Sequence, residues 1–124
     1  MRIEKIQTQN GVIAAVASDE MLIVDEQSAL DLLMTAQYEA ETKYIVVDKN
    51  AITEKFFILS SGIAGAVLQK IINYKGKIAI YGDFTKYTSK PLKDFIYESN
   101  HGKDVFFAAT KQEAVEYLQK SIKN

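Results

Sequence analysis

The chain has 124 residues with 15 basic and 16 acidic side chains, a formal net charge of −1, so no global electrostatic attraction draws it to nucleic acid or to an anionic membrane. Its 48% hydrophobic content, with 6 glycines and 1 proline, excludes a linker-rich or low-complexity chain. The lack of cysteine removes disulfides, thiolate catalysis and cysteine-based zinc sites together.

This length suits one domain spanning residues 1–124, with a substantial core and no room for a second. Met1 to Ile6 lacks the apolar run of a signal peptide, and no later segment approaches the roughly 20 apolar residues of a membrane helix. The expected setting is the cytoplasm.

In chain order, residues 2 to 8 carry β-formers at Ile3 and Ile6, and Asn10-Gly11 followed by Val12 to Ala17 signals a hairpin of two antiparallel strands. Ser18 to Val24 reads as a loop with some local structure, because its four consecutive apolar residues suit a short strand or a packed connection equally. From Asp25, a plausible cap, the pattern turns helical to about Tyr38, with Ala29, Leu30, Leu33 and Met34 on one face. Tyr44 to Val47 is a β-branched run of the kind buried on both faces of a parallel sheet. Lys77 to Tyr81 and Asp104 to Ala108 repeat that type.

Ile58 to Leu68 is the most informative stretch. Ser60, Ser61 and Gly62 precede the run Ile63, Ala64, Val67, Leu68, Ile71 and Ile72, which a helix places on one face. The serines read as helix caps, with the N–H groups of Gly62 and Ile63 facing outward as an anion-attracting end. Gly62, Gly65 and Ala66 are expected to permit close backbone approach, with Gly65 against the sheet or a neighbouring helix. A further helix opens at Ser89 and Pro91, faces Leu92, Phe95 and Ile96 inward, points Lys93, Tyr97 and Asn100 outward, and ends at Gly102. The last helix opens with a Thr110/Glu113 capping box, buries Ala114, Val115, Leu118 and Ile122, and sets Lys120 and Lys123 at the negative end of its dipole.

The fold expected from this order is α/β: a single mixed, mostly parallel five-stranded sheet with about four helices, its first strand antiparallel. There is no internal repeat.

Phe56 to Ile63, following the strand at Tyr44 to Asp48, resembles the Asp-Ser-Ser-Gly-Leu signature of STAS domains, the anti-sigma-factor antagonist family. Ser60, Ser61 and Gly62 match its two serines and glycine, while Leu59 stands where the signature has an acidic residue. The resemblance implies a STAS-like fold, and a partner kinase acting on the serine at position 60. Asp83 to Asn100, together with Gly62-Ile63-Ala64-Gly65, resembles the bacterial family called domain of unknown function 4180, a likeness that covers nearly the whole chain. That family implies no established activity.

Other candidates for chemistry are few. His101, the single histidine, reads as a partner for a helix C-terminus rather than a metal ligand. A Ser89/His101/Asp83 triad lacks a nucleophile elbow and sets its histidine at the far end of the helix from Ser89. Asp48 and Asp83 both follow parallel strands, at the sheet edge where open α/β folds bind ligands, and suit an acid pair or a magnesium site; as strand-end aspartates they equally suit turns and caps. Tyr87, Thr88, Ser89 and Lys90 combine hydroxyls, a cation and helix N–H groups able to hold an anion. No Rossmann or P-loop glycine pattern is present.

The function expected is a regulatory, non-enzymatic binding module without cofactor or metal, contacting a protein partner at the C-terminal sheet edge around Ser60. A small-molecule or anion-binding protein, or a weak hydrolase using Asp48 and Asp83, is the alternative. Homo-oligomerisation stays open.

Overall fold

The computed structural model describes residues 1–122. Five strands form one mixed sheet: β1 (Arg2–Gln7), β2 (Val12–Ala17), β3 (Tyr44–Asp48), β4 (Lys77–Tyr81) and β5 (Val105–Ala108). They lie in chain order, β1 antiparallel to β2 and the remaining neighbours parallel. The parallel alignment expected of the three apolar runs is observed, with Val46 beside Ala79 and Ala79 beside Phe106.

Four helices connect and cover these strands: α1 (Glu26–Ala40), α2 (Ile63–Asn73), α3 (Lys90–Asn100) and α4 (Lys111–Ser121). Alternation along each strand divides the core in two. On one face Val16, Ile45, Val47, Ile78, Ile80 and Phe107 meet buried side chains of α1, α2 and α3. On the other, Ile13, Val46, Ala79, Phe106 and Ala108 meet Ala114 and Leu118 of α4, and Ile122 just beyond it.

Local sequence explains the helix starts. Asp25 caps α1 in a box with Ser28, whose N–H donates to the Asp25 carboxylate at 2.8 Å while the Asp25 N–H donates to the Ser28 hydroxyl at 3.1 Å. Ser89 caps α3 with Pro91 in the first turn, and the Thr110 hydroxyl accepts from the Glu113 N–H. The expected reciprocal half of that last box differs: the Glu113 carboxylate accepts from Ala109, one residue earlier.

Several facing assignments differ from expectation. Helix α1 runs on to Ala40 and buries Leu32, Ala36 and Ala40, leaving Met34 exposed; the inward stripe is rotated toward its alanines. Ile72 of α2 is exposed, and a Cβ at Gly65 would meet nothing within 4 Å, so Gly65 faces open space and allows no close approach. The tight glycine is Gly76, where a Cβ would lie 2.6 Å from Leu33 Cδ2 and 3.1 Å from the Lys43 carbonyl. Helix α3 closes at His101, with ordinary right-handed backbone, so Gly102 supplies no left-handed cap. Asn100 is partly buried on β5, and Lys123 lies outside the described residues.

The segment after β2 is a loop with local structure, as expected. Ile23, fully buried, forms a parallel bridge with Ile52, and its carbonyl accepts from Thr53 at 2.8 Å. This bridge stitches the chain beyond β2 to the chain beyond β3.

Candidate functional site

Between β3 and α2 the chain takes three short 3-10 turns, Lys49–Ala51, Glu54–Phe57 and Leu59–Ser61, rather than a single loop. The first two are capped by Asp48 and Thr53, whose side chains accept from the N–H groups of Asn50 and Lys55. The burial of Phe56 and Phe57 anchors the connection to the core, a contribution of about 1.5–3 kcal/mol for a fully buried phenylalanine such as Phe56.

The third turn places the serines. Ser60 is exposed and its hydroxyl makes no hydrogen bond among the described residues. The Ser61 hydroxyl donates to the Lys55 carbonyl at 2.7 Å and accepts from the Ile63 N–H at 3.2 Å, tying two turns together. Gly62, at φ 79°, occupies the N-cap position of α2 without a side-chain cap. Left-handed backbone here suits glycine. The Gly62 N–H donates to the Leu59 carbonyl. The expected outward-facing donors at Gly62 and Ile63 are therefore both satisfied internally, which weakens this helix end as an anion site.

Across from Ser60, the segment between β4 and α3 supplies the opposite wall. A groove of about 620 Å³ runs between them, with Ile58, Leu59 and Ser60 on one side and Tyr87, Thr88, Ser89 and Pro91 on the other. Ser60 and three of the four expected residues of the Tyr87 to Lys90 segment thus come together. Lys90 stands apart, pairing with Asp94 at 2.6 Å one helical turn on.

At the floor sits a cluster that single-sequence reasoning missed. The Tyr87 hydroxyl donates to Glu54 Oε2 at 2.6 Å, and its ring stacks on Phe57 at 5.1 Å between centroids. Lys49, only 8% exposed, sets its ammonium 5.1 Å from the Tyr87 ring centroid, 5.4 Å from that of Phe57 and 3.4 Å from Glu54 Oε1. Lys86 reaches the same carboxylate oxygen at 3.5 Å. The Tyr87 hydrogen bond, with the two lysines adding to it, holds the Glu54 carboxyl below its ordinary range against the effect of burial. Burial and the Glu54 carboxylate push the Tyr87 phenol well above its usual value, so it is a fixed donor at neutral pH. No motif marks this cluster, since Lys49, Glu54 and Tyr87 meet only when β3 and β4 lie side by side. The one local signal was Lys49 directly after a strand end.

Asp48 and Asp83 also come together, lining a smaller cleft of about 250 Å³ with Lys49, Asn50, Gly82 and Lys86. Each aspartate holds a turn. Asp48 accepts from the Asn50 N–H at 2.8 Å, and Asp83 from the N–H and hydroxyl of Thr85, the bonds that chiefly hold its carboxyl below its ordinary range. Gly82, at φ 153°, brings the cleft together, because a Cβ there would stand 2.8 Å from the Lys49 Cβ.

His101 Nδ1 lies 2.8 Å from the Tyr97 carbonyl oxygen at the end of α3, remote in the chain from the cap Ser89. Among the described residues no group of three or more histidine, aspartate or glutamate side chains is placed to hold a metal ion, and no helix is long and apolar enough to cross a membrane.

No curated protein and no solved structure matches the chain. Residues 8–118 match the family model described as Domain of unknown function (DUF4180), which spans every element from β2 to most of α4, and the chain belongs to that family.

Proposed function

We propose that this protein is a regulatory, non-enzymatic binding module of the bacterial cytoplasm, docking a protein partner in the groove between Leu59–Ser61 and Tyr87–Ser89. The observation that carries the reading is the groove's character: Ile58, 55% exposed, lies beside the unbonded hydroxyl of Ser60, and Thr88, Ser89 and Pro91 opposite are exposed as well. A small ligand is held by burying most of its surface, whereas an open apolar and hydroxylated trough suits a protein segment. The likeness of Ser60-Ser61-Gly62 to the STAS signature supports a regulatory role at this edge. Without a hydrogen-bonded base, Ser60 is not activated as a nucleophile.

A second reading rests on the neighbouring cleft. There Lys49 and Lys86 line the cleft with Asp48 and Asp83, and the alternative is a small molecule or anion held by the lysines in competition with Glu54, or a weak hydrolase with the aspartates as its acid pair.

A photo-crosslinking residue tests the first reading. Placed at Ile58 it should capture a discrete partner in cells, whereas at Glu116, on the exposed face of α4, it should not. Equal capture at both positions, or none at Ile58, would overturn it.

A further inference from the structure

On the opposite face of the sheet, the core takes its helical side chains from α4 and the residue after it alone. One helix cannot cover five strands, and the shortfall is visible beside β1 and β2. There the N-terminal Lys111 of α4 reaches Glu4 of β1 at 3.0 Å, and beneath this ion pair lie only the small side chains Ala15 and Ala17, with Val46. The alanines leave a recess of about 290 Å³, at the lower end of the roughly 300–1,000 Å³ range of ligand pockets.

Two groups on its wall lack partners. The Arg2 guanidinium makes no hydrogen bond or ion pair among the described residues, and neither does the Tyr81 hydroxyl. Glu4 is matched by Lys111, which leaves the Arg2 guanidinium without a carboxylate partner on this wall, while Asp48 stands beside Tyr81 on the neighbouring strand. An unpaired guanidinium offers a planar fork that fits a carboxylate through two parallel hydrogen bonds. Burial, with Asp48 adding to it, pushes the Tyr81 phenol above its usual value, so at neutral pH it too can only donate to an anion.

We propose that this recess binds a short-chain aliphatic carboxylate, its methylenes on Ala15 and Ala17 and its carboxylate held by Arg2 and the Tyr81 hydroxyl. The site is independent of the Ser60 groove, which opens over the other face of the sheet.

Titration of the whole protein with sodium butyrate, followed by methyl and amide NMR, tests the proposal, with butylammonium chloride as control for the apolar tail and for salt. Saturable shifts should appear at the Ala15 and Ala17 methyls and at Tyr81. Arg2→Gln, an exposed change that leaves the core untouched, should weaken binding roughly tenfold, the scale of one charge-assisted hydrogen-bonded pair. Tyr81→Phe should weaken it less. Absence of saturable shifts at these methyls, equal shifts with butylammonium, or unchanged affinity in Arg2→Gln would overturn it.

Discussion

The Tyr87 hydroxyl and the Glu54 carboxylate, 2.6 Å apart, join the two loops that make the groove, one following β3 and the other following β4. Tyr87→Phe keeps the stack on Phe57 and removes only this bond. A hydrogen bond to a charged group contributes about 1.5–3 kcal/mol when buried. Glu54 is 59% exposed, so screening should reduce the loss to about 0.5–1 kcal/mol in urea unfolding. The pH dependence follows from the lowered Glu54 value. A depressed carboxyl stabilises the fold above its unfolded value, near 4.5, and that stability disappears as pH falls through the lower folded value. The gap between wild type and Tyr87→Phe should therefore close on acidification below about pH 4.5; a gap that widens would contradict the assignment.

Two glycines flanking the packed face of α2, Gly65 within the helix and Gly76 just beyond it, should respond oppositely. Gly65→Ala adds a methyl to open space near the start of α2 and should stabilise by about 0.5 kcal/mol through helix propensity. Gly76→Ala forces a Cβ against Leu33 and the Lys43 carbonyl and should cost roughly 1–3 kcal/mol. Melting temperatures of the pair decide the matter, and a loss of stability in Gly65→Ala would show that the glycine is needed after all.

Asn100 acts as a substitute strand. Its carboxamide accepts from the Phe107 N–H at 2.7 Å and donates to the Phe107 carbonyl at 3.1 Å, closing the outer edge of β5. Asn100→Ala should cost about 1–3 kcal/mol, the penalty for stranding partly buried polar groups. It should also raise concentration-dependent light scattering, and a variant as stable and as monodisperse as the parent would refute this role.

The strands were legible because each parallel run is apolar throughout, as Ile45 to Val47 and Ile78 to Ile80 are, and two-sided burial demands this. Helix starts were legible at Asp25, Ser89 and Thr110 because a cap is a local hydrogen bond. What could not be read depends on neighbours distant in the chain. Ile23 gains its partner from Ile52, and Lys49 is buried by Tyr87 and Gly82. Gly65 and Ile72 fit the apolar pattern of α2, but its inward stripe is fully supplied by Ala64, Val67, Leu68 and Ile71. The geometry of the candidate groove was partly legible: Ser60 and Tyr87 to Ser89 do line it together, while Ser61 is committed to turn bonds and Lys90 to Asp94.

Ser60→Asp addresses the central claim most directly. The side chain is exposed and unbonded, so the fold should tolerate the charge within about 1 kcal/mol, the scale of a cap exchange. A docked partner would have to desolvate the new carboxylate against a surface matched to a neutral hydroxyl. Quantitative capture from native lysate, comparing wild type, Ser60→Asp and an α4 surface control such as Glu116→Gln, should show one set of partners depleted in Ser60→Asp alone. Identical partner profiles for all three proteins would contradict docking at this edge.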